Sequence, residues 1–244
     1  MLREALHDEL MNNYHNPSIG QLVHGTIGST VKCLTCEHEI KTDESFISLP
    51  LPIHRSTASN SIFDSIQNII EKSKNFFAYE TEKDVTLYEC LENLLSNEQL
   101  GANGQWFCHN CHGLTDATKK LDLHLLPQVL ILQLKRFTYD LTNNSKITTK
   151  VQIEEVLNLE KFVPNNHTNQ STKYNLVAVL VHIGTLASGH YTTFARHLDN
   201  HYWYHFNDKH VRLASLNEVI TSDAYVLVYE RASSSIMNRI QEDP

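Results

Sequence analysis

Tyr174-Asn175-Leu176-Val177-Ala178-Val179-Leu180-Val181-His182 leads through Gly184 to Ser188-Gly189-His190-Tyr191 and then to Trp203-Tyr204-His205-Phe206-Asn207-Asp208. An apolar run free of proline, a loop framed by two glycines and two further β-rich segments read as consecutive strands. Val129 to Phe137 before them and Ala224 to Glu230 after them have the same character, and all five segments fit one sheet. If the strands after His190 form a hairpin with its loop near His197 to His201, the register that pairs Arg196 with His201 also pairs His190 with Asn207. Strand alternation then sets those two side chains on one face. An asparagine carbonyl so placed accepts from one imidazole N–H and leaves the other ring nitrogen free to take a proton from a nucleophile. The competing reading is that His190 is one of 15 histidines and Asn207-Asp208 a turn; spacing alone leaves both open.

Upstream of Pro127 the pattern is mixed. Thr86-Leu87-Tyr88-Glu89 is a capping box, and Leu87, Leu91, Leu94 and Leu95 give the helix it opens a buried stripe. Cys90 falls inside that helix, where a packed small apolar side chain is the expectation. Ile62, Phe63, Ile66, Ile69 and Ile70 mark a second amphipathic helix, and Leu2, Leu6, Leu10, Met11 and Tyr14 a third, ended by Asn16-Pro17-Ser18. Gln21 to Gly25 and Ser45 to Leu51 read as strands, with Pro50 and Pro52 favouring a sheet edge. Phe162 to Thr172 reads as a polar loop, Ser215-Leu216-Asn217-Glu218 caps a short helix, and the tail from Ser233 to Pro244 has no periodicity.

Four of the five cysteines form two pairs, Cys33-Leu34-Thr35-Cys36 and Cys108-His109-Asn110-Cys111. Two such turns brought together make a tetrahedral S₄ site suited to one structural Zn²⁺, with no open position for a reactive water. Closing the long gap between the pairs costs roughly 4 kcal/mol plus a constant, whereas a structural zinc contributes about 10–16 kcal/mol. A redox pair would instead open a helix in a βαβ setting, which neither pair does.

The chain has 244 residues, 41% hydrophobic, with 20 Lys+Arg against 28 Asp+Glu and a formal net charge of −8. That is apolar enough for a packed core. An acidic balance with no basic block argues against nucleic acid as a partner. No apolar run approaches the roughly 20 residues of a membrane span, and the N-terminus has no secretory h-region, so the expected partners exclude a membrane and the expected site is intracellular, in cytoplasm, nucleus or both.

Taken in order, Leu22-Val23-His24-Gly25, Cys33-Leu34-Thr35-Cys36, Phe46 to Ile53, Trp106 to Cys111, Leu126 to Phe137 and the whole of Tyr174 to Arg231 resemble the C-terminal part of the catalytic domain of the ubiquitin-specific proteases, cysteine deubiquitinases. The resemblance implies an α+β, papain-like cysteine protease fold of thumb, fingers and palm that grips ubiquitin and cleaves the bond after its C-terminal glycine in ubiquitinated proteins. Residues 1–14 would end the thumb helix, 15–126 form fingers with a zinc ribbon and a helical insertion, and 127–232 form an antiparallel palm, with 233–244 a disordered tail. His190 would be the general base, Asn207 the residue that orients it, and Asp208 a supporting polar residue, while Gly189 and Tyr191 would contact the substrate. Cys33, Cys36, Cys108 and Cys111 would be the zinc ligands.

The sequence departs from the family at its nucleophile. A thiol protease needs a thiolate paired with a histidine, and the glycine- and asparagine-rich box that carries it in the family does not occur here. The expectation is a chain that starts mid-domain, belongs to an active deubiquitinase and is inactive by itself. The alternative is a non-catalytic ubiquitin-binding protein that keeps the fingers and palm.

Overall fold

A computed structural model describes residues 17–53, 85–101, 104–139, 144–164, 171–185, 188–221 and 223–232. The helices expected at 2–14 and 62–70 and the tail from 233 lie outside the described residues. The chain is first seen in a short helix, Pro17–Val23 (α1). Gln21 to Val23 was expected to begin a strand. Instead Pro17, whose fixed φ and missing N–H suit a helix's first position, opens a helix that takes in those residues, and the strand starts at Gly25.

Gly25–Cys33 (β1) and Glu39–Phe46 (β2) form a hairpin, and Leu49–Pro52 (β3) follows. Val85–Thr86 (β4) leads into the helix Leu87–Leu95 (α2). Its capping box is formed as the sequence predicts, with the Thr86 hydroxyl accepting from the Glu89 amide and the Glu89 carboxylate accepting from that of Thr86 at 2.6 Å. Leu87, Cys90, Leu91 and Leu95 are buried. Glu98–Leu100 (β5), Trp106–Cys108 (β6), Gly113–Thr115 (β7) and Ala117–Leu125 (β8) complete the first half. β2, β1, β8 and β5 lie in that order in an antiparallel sheet, and β6 and β7 make a separate hairpin.

The second half contains Val129–Lys135 (β9), Phe137–Tyr139 (β10), Asn144–Lys146 (β11), Val151–Gln152 (β12), Val156–Asn158 (β13) and Lys173–Gly184 (β14). After them come Gly189–Arg196 (β15), Trp203–Asn207 (β16), His210–Ala214 (β17), the capped helix Leu216–Ile220 (α3) and Ala224–Arg231 (β18). One sheet runs β17-β16-β15-β14-β18-β9-β3, with β13 also paired to β14. All five segments predicted to share a sheet do so. β3 sits on its edge, parallel to β9, where the missing amide protons of Pro50 and Pro52 cost no central ladder bonds.

The expected strand to Phe137 is cut at Arg136. Its backbone amide bonds to Leu134 and its guanidinium turns inward, 2% exposed, to the carbonyls of Ala224 (2.5 Å), Ile147 (3.1 Å) and Thr149 (2.9 Å). Phe137 consequently begins the β10–β11 hairpin. Leu130, Leu132 and Leu134 of β9, Leu176 and Val179 of β14 and Leu227 and Tyr229 of β18 supply the core, joined by Leu87 and Leu91 of α2. Among the described residues no helix is long and apolar enough to cross a membrane.

Candidate functional site

Each cysteine pair occupies a tight knuckle. Beyond β1 the chain turns back with the Cys33 amide donating to the His38 carbonyl at 2.9 Å, and Glu37 takes a positive φ of 59°. The β6–β7 hairpin closes with Cys108 opposite Gly113 and with His112 at φ 53°. The knuckles meet so that all four sulfurs lie within 4.8 Å of one another. Cys33 and Cys111 are 4.0 Å apart and Cys36 and Cys108 3.6 Å. Tetrahedral ligation at a metal–sulfur distance of about 2.3 Å sets sulfurs about 3.8 Å apart, so the cluster has the dimensions of a metal site.

Its electrostatics point the same way. A hydrogen bond with the Thr115 hydroxyl lowers Cys33 to about 6, and contacts from Asn110 and the backbone of His38 lower Cys36. The crowded Cys111 is pushed up to about 12, chiefly by the neighbouring Cys36 thiol. Thiols this close repel one another once ionised, and a divalent cation would offset that charge. Cys90, apart from this cluster, is fully buried in α2, and burial pushes its thiol up to about 11.

The second constellation lies at the open end of β15 and β16. The Nε2–H of His190 donates to Oδ1 of Asn207 at 2.7 Å, and among the described residues Nδ1 makes no hydrogen bond. This tautomer follows from the acceptor, since a carbonyl oxygen can only accept. The Asp208 carboxylate lies 3.8 Å from the same nitrogen, with 45% of the His190 side chain and 76% of the Asp208 side chain exposed. Asp208 takes φ 50° in the turn that pairs Asn207 with His210.

The register differs from the expected one. The ladder pairs Arg196 with Trp203 and Thr193 with Phe206, so the loop is wider. The His197 amide donates to Tyr202, the His201 amide to His197, and His201 adopts φ 58°. Arg196 therefore reaches the His201 carbonyl through its Nε and not as a ladder partner. A slip that moves a partner by two residues preserves the face, so His190 and Asn207 meet as diagonal neighbours.

Gly189 and Tyr191 belong to the other face of β15. There the imidazole of His182, directly opposite Tyr191 in the β14–β15 ladder, fills the space a Gly189 side chain would take. Phe137, Tyr191 and Tyr225 pack around that imidazole, which is 5% exposed. Burial, then the Lys146 charge, lower its pKa. Sequence reading passed over His182 and Lys146, although Gly184 two residues after His182 marks the loop they support.

The family model described as ubiquitin carboxyl-terminal hydrolase matches residues 1–229. The chain is 43% identical over 162 residues to ubiquitin carboxyl-terminal hydrolase 9 of Arabidopsis thaliana, covering 66% of this chain and 18% of that protein. It is 41% identical over 148 residues to ubiquitin carboxyl-terminal hydrolase 15 of Homo sapiens, covering 60% of this chain and 15% of that one. Among solved structures, the SAGA Ubp8/Sgf11/Sus1/Sgf73 DUB module bound to ubiquitin aldehyde superposes with TM-score 0.69 at 26% identity, over 95% of this chain and 48% of that chain. A yeast SAGA DUB module superposes with TM-score 0.70 at 28% identity, over 93% of this chain and 44% of that chain. The chain thus spans about half of those solved chains and under a fifth of the two curated relatives. Its fold is the α+β, papain-like one the sequence implied.

Proposed function

The chain belongs to the ubiquitin carboxyl-terminal hydrolase family, as a ubiquitin-specific protease, and on that premise we propose that it is the part of a cysteine-type deubiquitinase that holds the general base. His190 is that base, acting through Nδ1. Asn207 fixes the ring through Nε2 and Asp208 adds negative charge beside the imidazolium that forms. The observation that carries this reading is the 2.7 Å bond from His190 to Asn207, which engages Nε2 and, among the described residues, leaves Nδ1 without a hydrogen bond on a half-exposed side chain.

The reaction would begin as Nδ1 takes the thiol proton and the thiolate attacks the carbonyl carbon of the C-terminal glycine of ubiquitin. The imidazolium then returns the proton to the leaving amine, and water activated by the same nitrogen hydrolyses the thioester. The thiol is not among the five cysteines of these 244 residues, because four cluster at the knuckles and the fifth is a buried, raised thiol. The proposal therefore assigns it to sequence beyond them, and the 244 residues alone should be inactive.

In this reading the described residues up to 126 are fingers and those between 127 and 232 are the palm. Ubiquitin and ubiquitinated proteins are the partners, met at Gly189 and Tyr191 among other contacts. Cys33, Cys36, Cys108 and Cys111 hold one structural Zn²⁺, and the protein works inside the cell. The lack of a local nucleophile is also what a non-catalytic ubiquitin-binding protein would show. Lysate of the source organism treated with ubiquitin bearing a C-terminal electrophile separates the two. A covalent adduct on a polypeptide containing these peptides is the expected result; recovery of the protein with no adduct would replace the enzyme with the binder.

A further inference from the structure

His190 hangs from β14 and not from β16. The β15–β16 ladder stops at Thr193 opposite Phe206, whereas the β14–β15 ladder continues through Ile183 opposite His190 to Gly184 opposite Gly189. Whatever fixes residues 182–184 therefore fixes the backbone of His190. The backbone of that segment is reached by a side chain from another element. The Lys146 ammonium, at the end of β11, donates to the carbonyl of His182 at 2.6 Å and to that of Gly184 at 3.1 Å. These two carbonyls flank Ile183, the cross-strand partner of His190.

Beyond Gly184, at φ 118°, the chain enters the turn in which the Thr185 amide donates to the Ser188 carbonyl at 2.8 Å. A Cβ on Gly184 would lie 2.5 Å from that same carbonyl, so a larger residue does not fit at this position. The hairpin that carries Lys146 also supplies Phe137, whose ring packs edge-on against His182 with centroids 5.3 Å apart. One hairpin thus grips the strand end through its carbonyls and through the ring beneath Gly189.

We propose that Lys146 is a positioning residue for His190, setting the Ile183–His190 pair through the carbonyls on either side and so holding the imidazole at Asn207. This rests on the reading of His190 as general base. An ammonium is suited to the task because it offers three donors from one point and tolerates no acceptor role. Removal should free the strand end without unfolding the sheet, since Lys146 is only half-buried.

The test is made on the isotopically labelled protein, reading the ring nitrogens of His190 by NMR, in wild type and in Lys146→Met, Lys146→Gln and Lys146→Arg. Wild type should show Nε2 as the fully protonated nitrogen. Lys146→Met and Lys146→Gln should both move it toward the tautomer mixture of a free imidazole, with thermal stability little changed, and Lys146→Arg should restore it. In the protein with its nucleophile, the Met variant should lose about ten- to a hundredfold in kcat with KM within about twofold, as a misplacement of a catalytic group by up to about 1 Å does. A wild-type tautomer in both the Met and Gln variants overturns the proposal. A protein that carries the nucleophile and yet hydrolyses no ubiquitin conjugate overturns the enzyme reading instead, and the tautomer result still decides whether Lys146 sets the ring.

Discussion

A methyl group added at Gly189 would stand 2.0 Å from Nε2 of His182 and 2.7 Å from Cε1. The ring has little room to retreat, because it is 5% exposed and its neighbours Phe137, Tyr191 and Tyr225 lie with centroids 5.3, 4.7 and 6.4 Å away. Gly189→Ala should therefore cost about 1–3 kcal/mol, the range for inserting a methyl into a filled space. At about 2–4 °C per kcal/mol for a domain of this size, the midpoint should fall by roughly 2–12 °C. His182→Ala will itself destabilise by about 2–4 kcal/mol through the cavity it leaves. In that background, however, the added methyl finds space, so the double variant should be more stable than the sum of the singles by about 1–3 kcal/mol. Urea unfolding of the four proteins measures this. Single effects that add to within about 0.5 kcal/mol would show that the His182 ring does not back Gly189, and the physical account of the glycine beside His190 would fall with it.

Chelation, or Cys108→Ser, should release one zinc per chain and loosen the two knuckles; the loop-closure cost then returns unopposed, roughly 4 kcal/mol, and a zinc content well under one with an unchanged melting curve would refute the site. In the protein with its nucleophile, His190→Ala should lower hydrolysis by about 10²–10⁴ while leaving ubiquitin binding intact, and Asn207→Ala should cost less, about ten- to a hundredfold; equal turnover by the His190 variant would refute its role. Glu218 is held down to about 2, first by Arg212 at 2.8 Å and then by the Ser215 amide it caps. Its folded-state pKa lies below the ordinary 4.5, so its support for α3 is complete above pH 4.5 and fades as pH falls toward 2. A carboxyl resonance that titrates near 4.5 in the folded protein would contradict the pairing, and added salt should weaken it because both groups are exposed.

What the sequence disclosed was what it encodes over a few residues. Thr86 and Glu89 sit three apart, as do Ser215 and Glu218, and both capping boxes form. The cysteines of each pair are likewise three apart, and the two knuckles do meet. Pro50 and Pro52 announced an edge strand because proline removes a donor wherever it stands. The failures were of two kinds. Gln21 to Val23 offered too few residues to separate a strand from the last turn of a helix, and Pro17 was read as a stop where it serves as a start. The contacts that brace the site were invisible because they join distant segments. Lys146 meets a carbonyl 36 residues away and Arg136 one 88 residues away, and nothing near either residue says where its charge will be received.

The hairpin register shows why a misplaced ladder still located the site. A strand repeats every two residues, so a partner displaced by two keeps its face, whereas a displacement of one would have sent Asn207 to the side of Tyr191. The wider loop at His197–Tyr202 adds the two residues that make the difference. Asn207 is thereby left diagonal to His190, a separation of about 7–8 Å between such backbones that two long side chains can bridge. That diagonal contact depends on two supports that do not share a ladder. His190 is placed by β14, and Asn207 by its pairing with His210 across the turn at Asp208. A change confined to either support should therefore alter the His190–Asn207 bond while the ladder from Thr193 to Arg196 stays intact, and backbone hydrogen exchange in that ladder should not follow the loss of the bond.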